Sequence, residues 1–154
     1  MINDDQNTTT SLDLAKIRED IDSVDQQIQQ LINRRARLAE AVAKAKFASE
    51  ENPLFYRPER EAQVLRNVME RNEGPLSDTT MARLFREIMS ACLALEAPQS
   101  IAFLGPVGTY THSAVLKHFG HDAVVRPLPT IDEVFREVEA GSAHYGLVPV
   151  ENSR

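Results

Sequence analysis

The 154-residue chain is short of the residues that mark several classes of protein. Its single cysteine, Cys92, excludes an internal disulfide and fits the reducing cytoplasm, where we expect the protein to be located. Basic residues number 17 against 23 acidic ones and form no cluster, which argues against nucleic-acid binding. No apolar run approaches the roughly 20 residues of a membrane span, so we expect no membrane association.

Glycine is scarce in the first part of the sequence, and this scarcity separates two regions. Residues 12–97 have helical periodicity, whereas from Ser100 onward short β-branched runs alternate with amphipathic helices and Gly/Pro turns. We therefore predict a disordered lead-in over 1–11, an all-α three-helix domain over 12–97 and a linker at 98–100. A partial α/β lobe with a mostly parallel sheet should follow over 101–154.

The first helix, predicted over about residues 12–47, carries a long apolar seam. Its apolar residues recur at steps of three and four, the repeat of a coiled coil. They are Leu14, Ile17, Ile21, Val24, Ile28, Leu31, Leu38, Val42 and Ala45. Such a helix is about 50 Å long, more than a three-helix monomer needs, so we expect part of it to pack on a second chain.

A charged residue interrupts this seam, because the position that follows Leu31 is Arg35. A guanidinium buried without a partner costs several kcal/mol, so Arg35 needs an anionic partner, either a carboxylate of the protein or a ligand. Lys46 lies about three turns further on and projects from nearly the same face. Arg18 lies about a quarter turn off that face and could instead reach a pocket on a partner chain. Taken alone, Arg18 and Lys46 are each better explained as solvated surface charge.

The second and third predicted helices place carboxylates on their apolar stripes. Glu61 lies four residues before Leu65 on the second helix, although a favourable interaction with the helix dipole is a reasonable alternative for it. Its neighbour Arg60 is less well placed. Glu96 lies four residues after Cys92 on the third helix. Cations and carboxylates that point into a helical core predict a pocket for a small anion with hydroxyl or ether groups.

The order and spacing of these residues resemble the all-helical chorismate mutases. The resemblance covers residues 12–97 and rests on Ile17-Arg18, Arg34-Arg35, Lys44-Ala45-Lys46 and Arg60-Glu61. It implies an intertwined homodimer in which each pocket takes one arginine from the partner. It also implies a pericyclic conversion of chorismate to prephenate that needs no cofactor and no metal.

The resemblance further implies how the substrate is bound. Arg35 and the partner's Arg18 would clamp its two carboxylates, for which the planar guanidinium is suited. Lys46 would donate to the ether oxygen and to a carboxylate. Glu61 would hold the ring hydroxyl, with Arg60 beside it in the binding site.

Catalysis of such a unimolecular shift depends on holding the compact conformer and stabilising charge on the ether oxygen. Arg35, Lys46 and Glu96 are therefore the predicted catalytic residues. Glu96 would face the ether oxygen, to which a glutamate can donate only when it is protonated. We thus predict a mutase that works better below neutral pH.

The second part of the sequence predicts the order β-α-β-α-β. Its strands are expected over 100–104, 124–126 and 145–150, with helices between them. Ligands of such sheets bind beyond the carboxyl ends of the strands. The glycine loop over 105–111 and the segment over 151–153 both fall there.

These two segments resemble the beginning of the prephenate dehydratases, which convert prephenate to phenylpyruvate, water and CO2. The resemblance rests on Gly108 and Thr109 in the loop and on Glu151, Asn152 and Ser153 after the third strand. The whole order resembles the bifunctional chorismate mutase/prephenate dehydratases of phenylalanine biosynthesis. We expect an N-terminal fragment of such an enzyme, with an incomplete and inactive dehydratase site.

Two other interpretations remain open. A non-enzymatic helical dimerisation module with an anion-binding α/β lobe explains the heptads, but not Arg35 in the seam or Glu61 on the second stripe. A nucleotide-binding enzyme rests only on the glycine loop, whose spacing fits neither a P-loop nor the dinucleotide-binding pattern. Replacing Arg35 by leucine separates the mutase from the dimerisation module, since a mutase should lose activity and a pure coiled coil should be stabilised or unchanged.

Overall fold

The computed structural model describes residues 4–51, 53 and 55–150, and of residues 4–12 the backbone alone. The chain divides into two compact units, Met1–Arg37 and Leu38–Arg154. The elements of the described residues are α1 (Asp4–Ser49), α2 (Pro58–Glu70), α3 (Asp78–Glu96), β1 (Ser100–Leu104), α4 (Tyr110–Phe119), β2 (Val124–Leu128), α5 (Ile131–Glu139) and β3 (Tyr145–Leu147). An all-helical part therefore precedes a small α/β lobe, and the predicted fold class is confirmed.

Helix α1 is uninterrupted over 46 residues, which makes it about 70 Å long. No glycine or proline occurs between Asp4 and Ser49, so nothing in the backbone ends the helix earlier. The sequence predicted a disordered lead-in over 1–11 and a helix from about residue 12. The helix instead begins at Asp4, because the polar residues there carry no helix-breaking signal.

Helices α2 and α3 pack against each other and begin where the sequence predicts. Pro58 occupies the first turn of α2, where its missing N–H is not needed. The side chain of Ser77 caps α3 by accepting a hydrogen bond from the backbone N–H of Thr80 at 3.1 Å. Leu65 and Val68 of α2 are buried, as the apolar stripe of that helix requires.

The lobe is a three-stranded parallel sheet with the order β2-β1-β3. Strand β1 is central, and its residues 101–103 are fully buried because helices cover both faces. One face packs Ile101 and Phe103 against Val115 of α4. The other packs Ala102 against Val134 of α5.

Proline explains how the outer strands differ from their predicted bounds. Strand β2 continues to Leu128 although it contains Pro127, since an edge strand tolerates a missing donor. Strand β3 ends at Leu147, shortly before Pro149, rather than continuing to residue 150. The Thr130 hydroxyl caps α5 by accepting a hydrogen bond from the backbone N–H of Glu133 at 3.2 Å.

Candidate functional site

The seam of α1 is solvent-exposed along its length. Its large apolar side chains are each between 46% and 62% exposed, and they are Leu14, Ile17, Ile21, Val24, Ile28, Leu31, Leu38 and Val42. Arg18 is exposed beside this seam, and Arg35 within it is half-buried. A contiguous apolar face of this kind marks a surface that binds another surface.

A second face of α1 is packed. Ala39 and Ala43 are buried, at 8% and 7% exposure, and lie four residues apart on one face of the helix. Lys46 follows Ala43 by three residues and so lies on that face. Lys46 is half-buried, and its ammonium lies 5.1 Å from the centroid of the Phe55 ring. The shared role of Arg35 and Lys46 stays a prediction.

The two candidate residues of α2, Arg60 and Glu61, differ in burial. Arg60 is exposed and donates a 3.3 Å hydrogen bond to the side chain of Gln63 on the same helix. Glu61 is half-buried, and one of its carboxylate oxygens lies 3.7 Å from Nε of Arg86 on α3. On α2, Glu61 is therefore half-buried, whereas Arg60 lies at the surface.

The surroundings of Glu61 favour its neutral form. Burial raises the pKa of Glu61, and the positive charge of Arg86 opposes this by lowering it. Neither carboxylate oxygen accepts a hydrogen bond from the residues that the structure describes. The side chain therefore retains its full capacity to accept hydrogen bonds from a ligand when it is ionised.

Helix α3 contributes Glu96 as its last residue. Glu96 is half-buried, and Cys92 one turn before it is buried at 4% exposure. The C-cap residue Ala97 is extended, so the chain leaves the helix directly after Glu96 and continues towards β1. Glu96 thus lies where the helical part ends and the lobe begins.

The sequence-based reasoning missed Arg86, which is the partner of Glu61. Arg86 belongs to a second face of α3 that continues with Ser90 and Leu93, at helical steps of four and three. Only the stripe through Ile88 and Cys92 was recognised in the sequence. The buried polar Ser90 on the second face is the signal that could have revealed it.

The glycine loop before α4 is held by a small network. Gly108 has a φ of +88°, which glycine adopts at no steric cost, and its N–H donates to Nδ1 of His112 at 3.0 Å. The Thr109 hydroxyl donates to the carbonyl of Pro106 at 2.9 Å and caps α4. The His112 ring stacks on Phe103, with 5.1 Å between centroids, which ties the loop to the core.

Three residues of the second predicted motif, Glu151, Asn152 and Ser153, lie outside the described residues. Over the described ranges, no group of three or more His, Cys, Asp or Glu side chains is placed to hold a metal ion. Within the same part of the chain, no helix combines the length and apolarity needed to cross a membrane.

Two families match consecutive parts of the sequence. Residues 17–97 match the family model of chorismate mutase type II, and residues 101–154 match that of prephenate dehydratase. Residues 98–100 lie between the two matches.

Curated relatives match both parts together. A bifunctional chorismate mutase/prephenate dehydratase of Stutzerimonas stutzeri is 57% identical over 143 residues, which are 91% of this chain and 39% of the relative. Its counterpart in Pseudomonas aeruginosa is 54% identical over the same shares of both chains. The Escherichia coli K12 protein of that description is 31% identical over 94% of this chain and 42% of its own length. The chain thus spans about two fifths of the length of these relatives.

Proposed function

Because this chain belongs to the type II chorismate mutase family over residues 17–97, we propose that its helical part converts chorismate to prephenate. The observation that carries the proposal is the packed face of α1 on which half-buried Lys46 follows the buried Ala39 and Ala43. A half-buried cation on a packed helix face suits an anionic ligand, and Arg35 is proposed as the second cation from its position in the sequence. No nucleophile, metal or cofactor is needed, since the reaction is a unimolecular rearrangement.

The proposed chemistry follows from the charge that develops during the shift. Arg35 binds a substrate carboxylate, and Lys46 donates to the ether oxygen, where negative charge increases in the transition state. These cations also fix the compact conformer, which lowers the entropic part of the barrier. Arg60, exposed at the start of α2, contributes to binding from the edge of the site.

Two carboxyl groups complete the proposed site. Glu61 accepts a hydrogen bond from the ring hydroxyl, and its ionised carboxylate is the stronger acceptor. Glu96 donates to the ether oxygen and must be protonated. Activity should therefore decline at acidic pH as Glu61 is protonated and at alkaline pH as Glu96 ionises, with the optimum below neutrality.

We further propose that the chain acts as a homodimer. The exposed seam of α1 repeats at steps of three and four, so a second copy of the same helix presents a complementary surface. Arg18 lies beside that seam and is exposed, which suits the contribution of one arginine to the partner's pocket. We propose a cytoplasmic location, which the single free and buried Cys92 favours.

For residues 101–154 we propose a part in prephenate dehydration. Gly108 and Thr109 lie at the N-terminus of α4, beyond the carboxyl end of β1, where ligands of parallel sheets bind. Glu151, Asn152 and Ser153 belong to the same proposal on sequence grounds alone. The named relatives combine both activities, and they are longer than this chain.

The alternative function is a helical dimerisation module without catalysis. It accounts for the exposed seam equally well, since a heptad seam alone needs no substrate. It gives no reason for half-buried Arg35 in that seam. A test must therefore separate assembly from turnover.

The experiment follows the loss of chorismate ultraviolet absorbance with the unaltered chain, with Arg35→Leu and with Arg37→Leu as a matched control. Arg37 is an exposed arginine of the same helix, away from the seam. We expect turnover by the unaltered chain and by Arg37→Leu, and a loss of at least a hundredfold with Arg35→Leu, since that variant loses a charge-assisted bond to the reacting molecule.

Sedimentation of the same samples reports assembly. An Arg35→Leu variant that remains dimeric but inactive supports the mutase. A folded dimer of the unaltered chain with no turnover at any pH contradicts it and favours the dimerisation module. So does an Arg35→Leu dimer that is stabilised with no change in turnover.

A further inference from the structure

Helix α3 of the mutase part holds the last turn of α4 of the lobe through three polar contacts. The Arg86 guanidinium donates to the carbonyl of Lys117 at 2.6 Å, and the Ser90 hydroxyl donates to the carbonyl of Phe119 at 2.7 Å. The Glu87 carboxylate lies 2.7 Å from Nδ1 of His121. Cations and donors near a helix C-terminus are favourably placed, because the last carbonyls have no partner within the helix.

Arg86 also faces the other way, towards Glu61. Nε of Arg86 lies 3.7 Å from the Glu61 carboxylate, and the two side chains are 27% and 17% exposed. At that distance the two groups form an ion pair without a hydrogen bond. One arginine therefore joins a carboxylate of α2 to the end of α4, by two different edges of its guanidinium.

The cavity beside this arginine contains few charged groups. Tyr56, Glu61, Arg86 and Asp122 are the titratable side chains among its described lining, and Arg86 is their only cation. The pKa of Tyr56 is raised, chiefly by burial and then by Glu61. The pKa of His118, which lies 2.7 Å from the Tyr56 hydroxyl, is lowered, chiefly by burial and then by Arg86. The shifts of Tyr56 and His118 both favour their neutral forms, and Arg86 is the group that favours the ionised form of Glu61.

We propose that Arg86 is a positioning residue for the mutase reaction, which holds the Glu61 carboxylate in place while it is itself held by the Lys117 carbonyl of α4. This inference rests on the proposed function, in which Glu61 accepts the hydroxyl of the substrate. It makes the lobe a structural support of the mutase site. An arginine is required here because its fork presents donors on two edges, whereas a lysine presents one point charge.

Because α3 and α4 are closely packed, the contact between Arg86 and the Lys117 carbonyl depends on the position of α4. Gly120 ends α4 with a φ of +77°, and a Cβ at this position would overlap the Cβ and Oγ of Ser90. Gly120→Ala therefore pushes α4 away from α3 without altering Arg86 or Glu61. Gly141→Ala is the matched control, since Gly141 has a φ of +76° after α5 but a Cβ there meets nothing within 4 Å.

The first measurement is the pH dependence of kcat/KM for the unaltered chain, Arg86→Met and Arg86→Lys. We expect Arg86→Met to lower kcat/KM about ten- to a hundredfold near neutral pH, as misplacement of a binding group does. Its acid limb should move to higher pH, because Glu61 loses the charge that favours its ionised form. Arg86→Lys keeps the charge and should return the limb towards its original position. In a Glu61→Gln background, Arg86→Met should not move the limb further.

The second measurement does not depend on turnover. Carboxyl carbon NMR of selectively labelled glutamate, assigned through Glu61→Gln, follows the titration of Glu61 in each variant. We expect the midpoint to rise in Arg86→Met and in Gly120→Ala, and to stay in place in Gly141→Ala. Circular dichroism identifies any variant that has lost its helices, in which case Arg86→Lys and Gly120→Ala still decide the question.

The outcomes separate the two proposals. If the unaltered chain does not convert chorismate, the proposed function fails, and the NMR titration alone shows whether Arg86 holds Glu61 ionised. If turnover is normal but Arg86→Met leaves both the acid limb and the Glu61 midpoint unchanged, the role of Arg86 is overturned. Equal effects of Gly120→Ala and Gly141→Ala would overturn the role of α4.

Discussion

In α1, Ile21 and Val24 are 53% and 51% exposed, whereas Ile101 and Phe103 in β1 are fully buried. The two regions use the same kinds of side chain, and the difference lies in what surrounds them. Strand β1 is covered on both faces by α4 and α5 of its own lobe. The described apolar side chains of the α1 seam are exposed. An apolar pattern therefore predicts that a surface becomes buried. Whether that surface is buried within one chain depends on the topology.

The first prediction breaks the exposed seam, where the largest effect is expected. Val24→Asp places a carboxylate at the centre of the heptad seam, so the proposed dimer would have to bury two like charges. We expect a monomeric chain without mutase turnover, because the partner's Arg18 is lost together with the dimer. Sedimentation and the chorismate assay measure the two losses.

Gln26→Asp is the control for that substitution, since Gln26 lies on the opposite side of α1 and is exposed. It adds the same charge two residues away and should leave the dimer and its activity intact. A stable dimer of Val24→Asp would show that the seam is not the interface.

The second prediction breaks the core of the lobe. Phe103→Ala removes a fully buried ring and should lower the free energy of unfolding of the lobe by about 3–5 kcal/mol. Tyr56 and Tyr145 pack together, 5.1 Å apart, so tyrosine fluorescence during urea unfolding reports on this region.

Phe135→Ala serves as the comparison, because the Phe135 ring is 56% exposed. Its effect should remain within about 0.5 kcal/mol, as is usual at the surface. Similar losses for both variants would mean that the core of the lobe does not centre on β1.

The third prediction concerns the chemistry of the site. The substitution should leave the stability of the helical part and of the lobe nearly unchanged. Glu96→Gln keeps the size of the side chain and donates a hydrogen bond at every pH. We expect the decline of mutase activity towards alkaline pH to flatten, while the acid limb, set by Glu61, remains. An alkaline limb that persists in Glu96→Gln would remove Glu96 from its proposed role.

Local signals predicted much of the fold. Ser77 and Thr130 cap their helices and Pro58 starts α2, because each of these residues acts through its own neighbours. The start of α1 was missed, since a polar segment without glycine or proline can be helical or disordered. The ends of β2 and β3 were missed because they depend on which strand lies at the edge of the sheet.

The candidate site was predicted less completely than the fold. Arg35, Lys46 and Glu61 were predicted as site residues because charges that recur on an apolar stripe conflict with the hydrophobic pattern. Arg86 was not found, because its partners Glu61 and Lys117 lie far from it in the sequence, on two other helices. The spacing of residues within α3 does not predict contacts with residues of other helices.

The sequence by itself determined the helical and α/β parts, the heptad seam and the family, since each is written in local spacing or in similarity along the chain. The tertiary structure alone decided that Arg86 stands between Glu61 and the end of α4, and that Gly120 is needed where α4 meets Ser90. The physical reason is that ion pairs and close packing depend on distances between elements. Those distances arise only when the helices and the sheet are brought together.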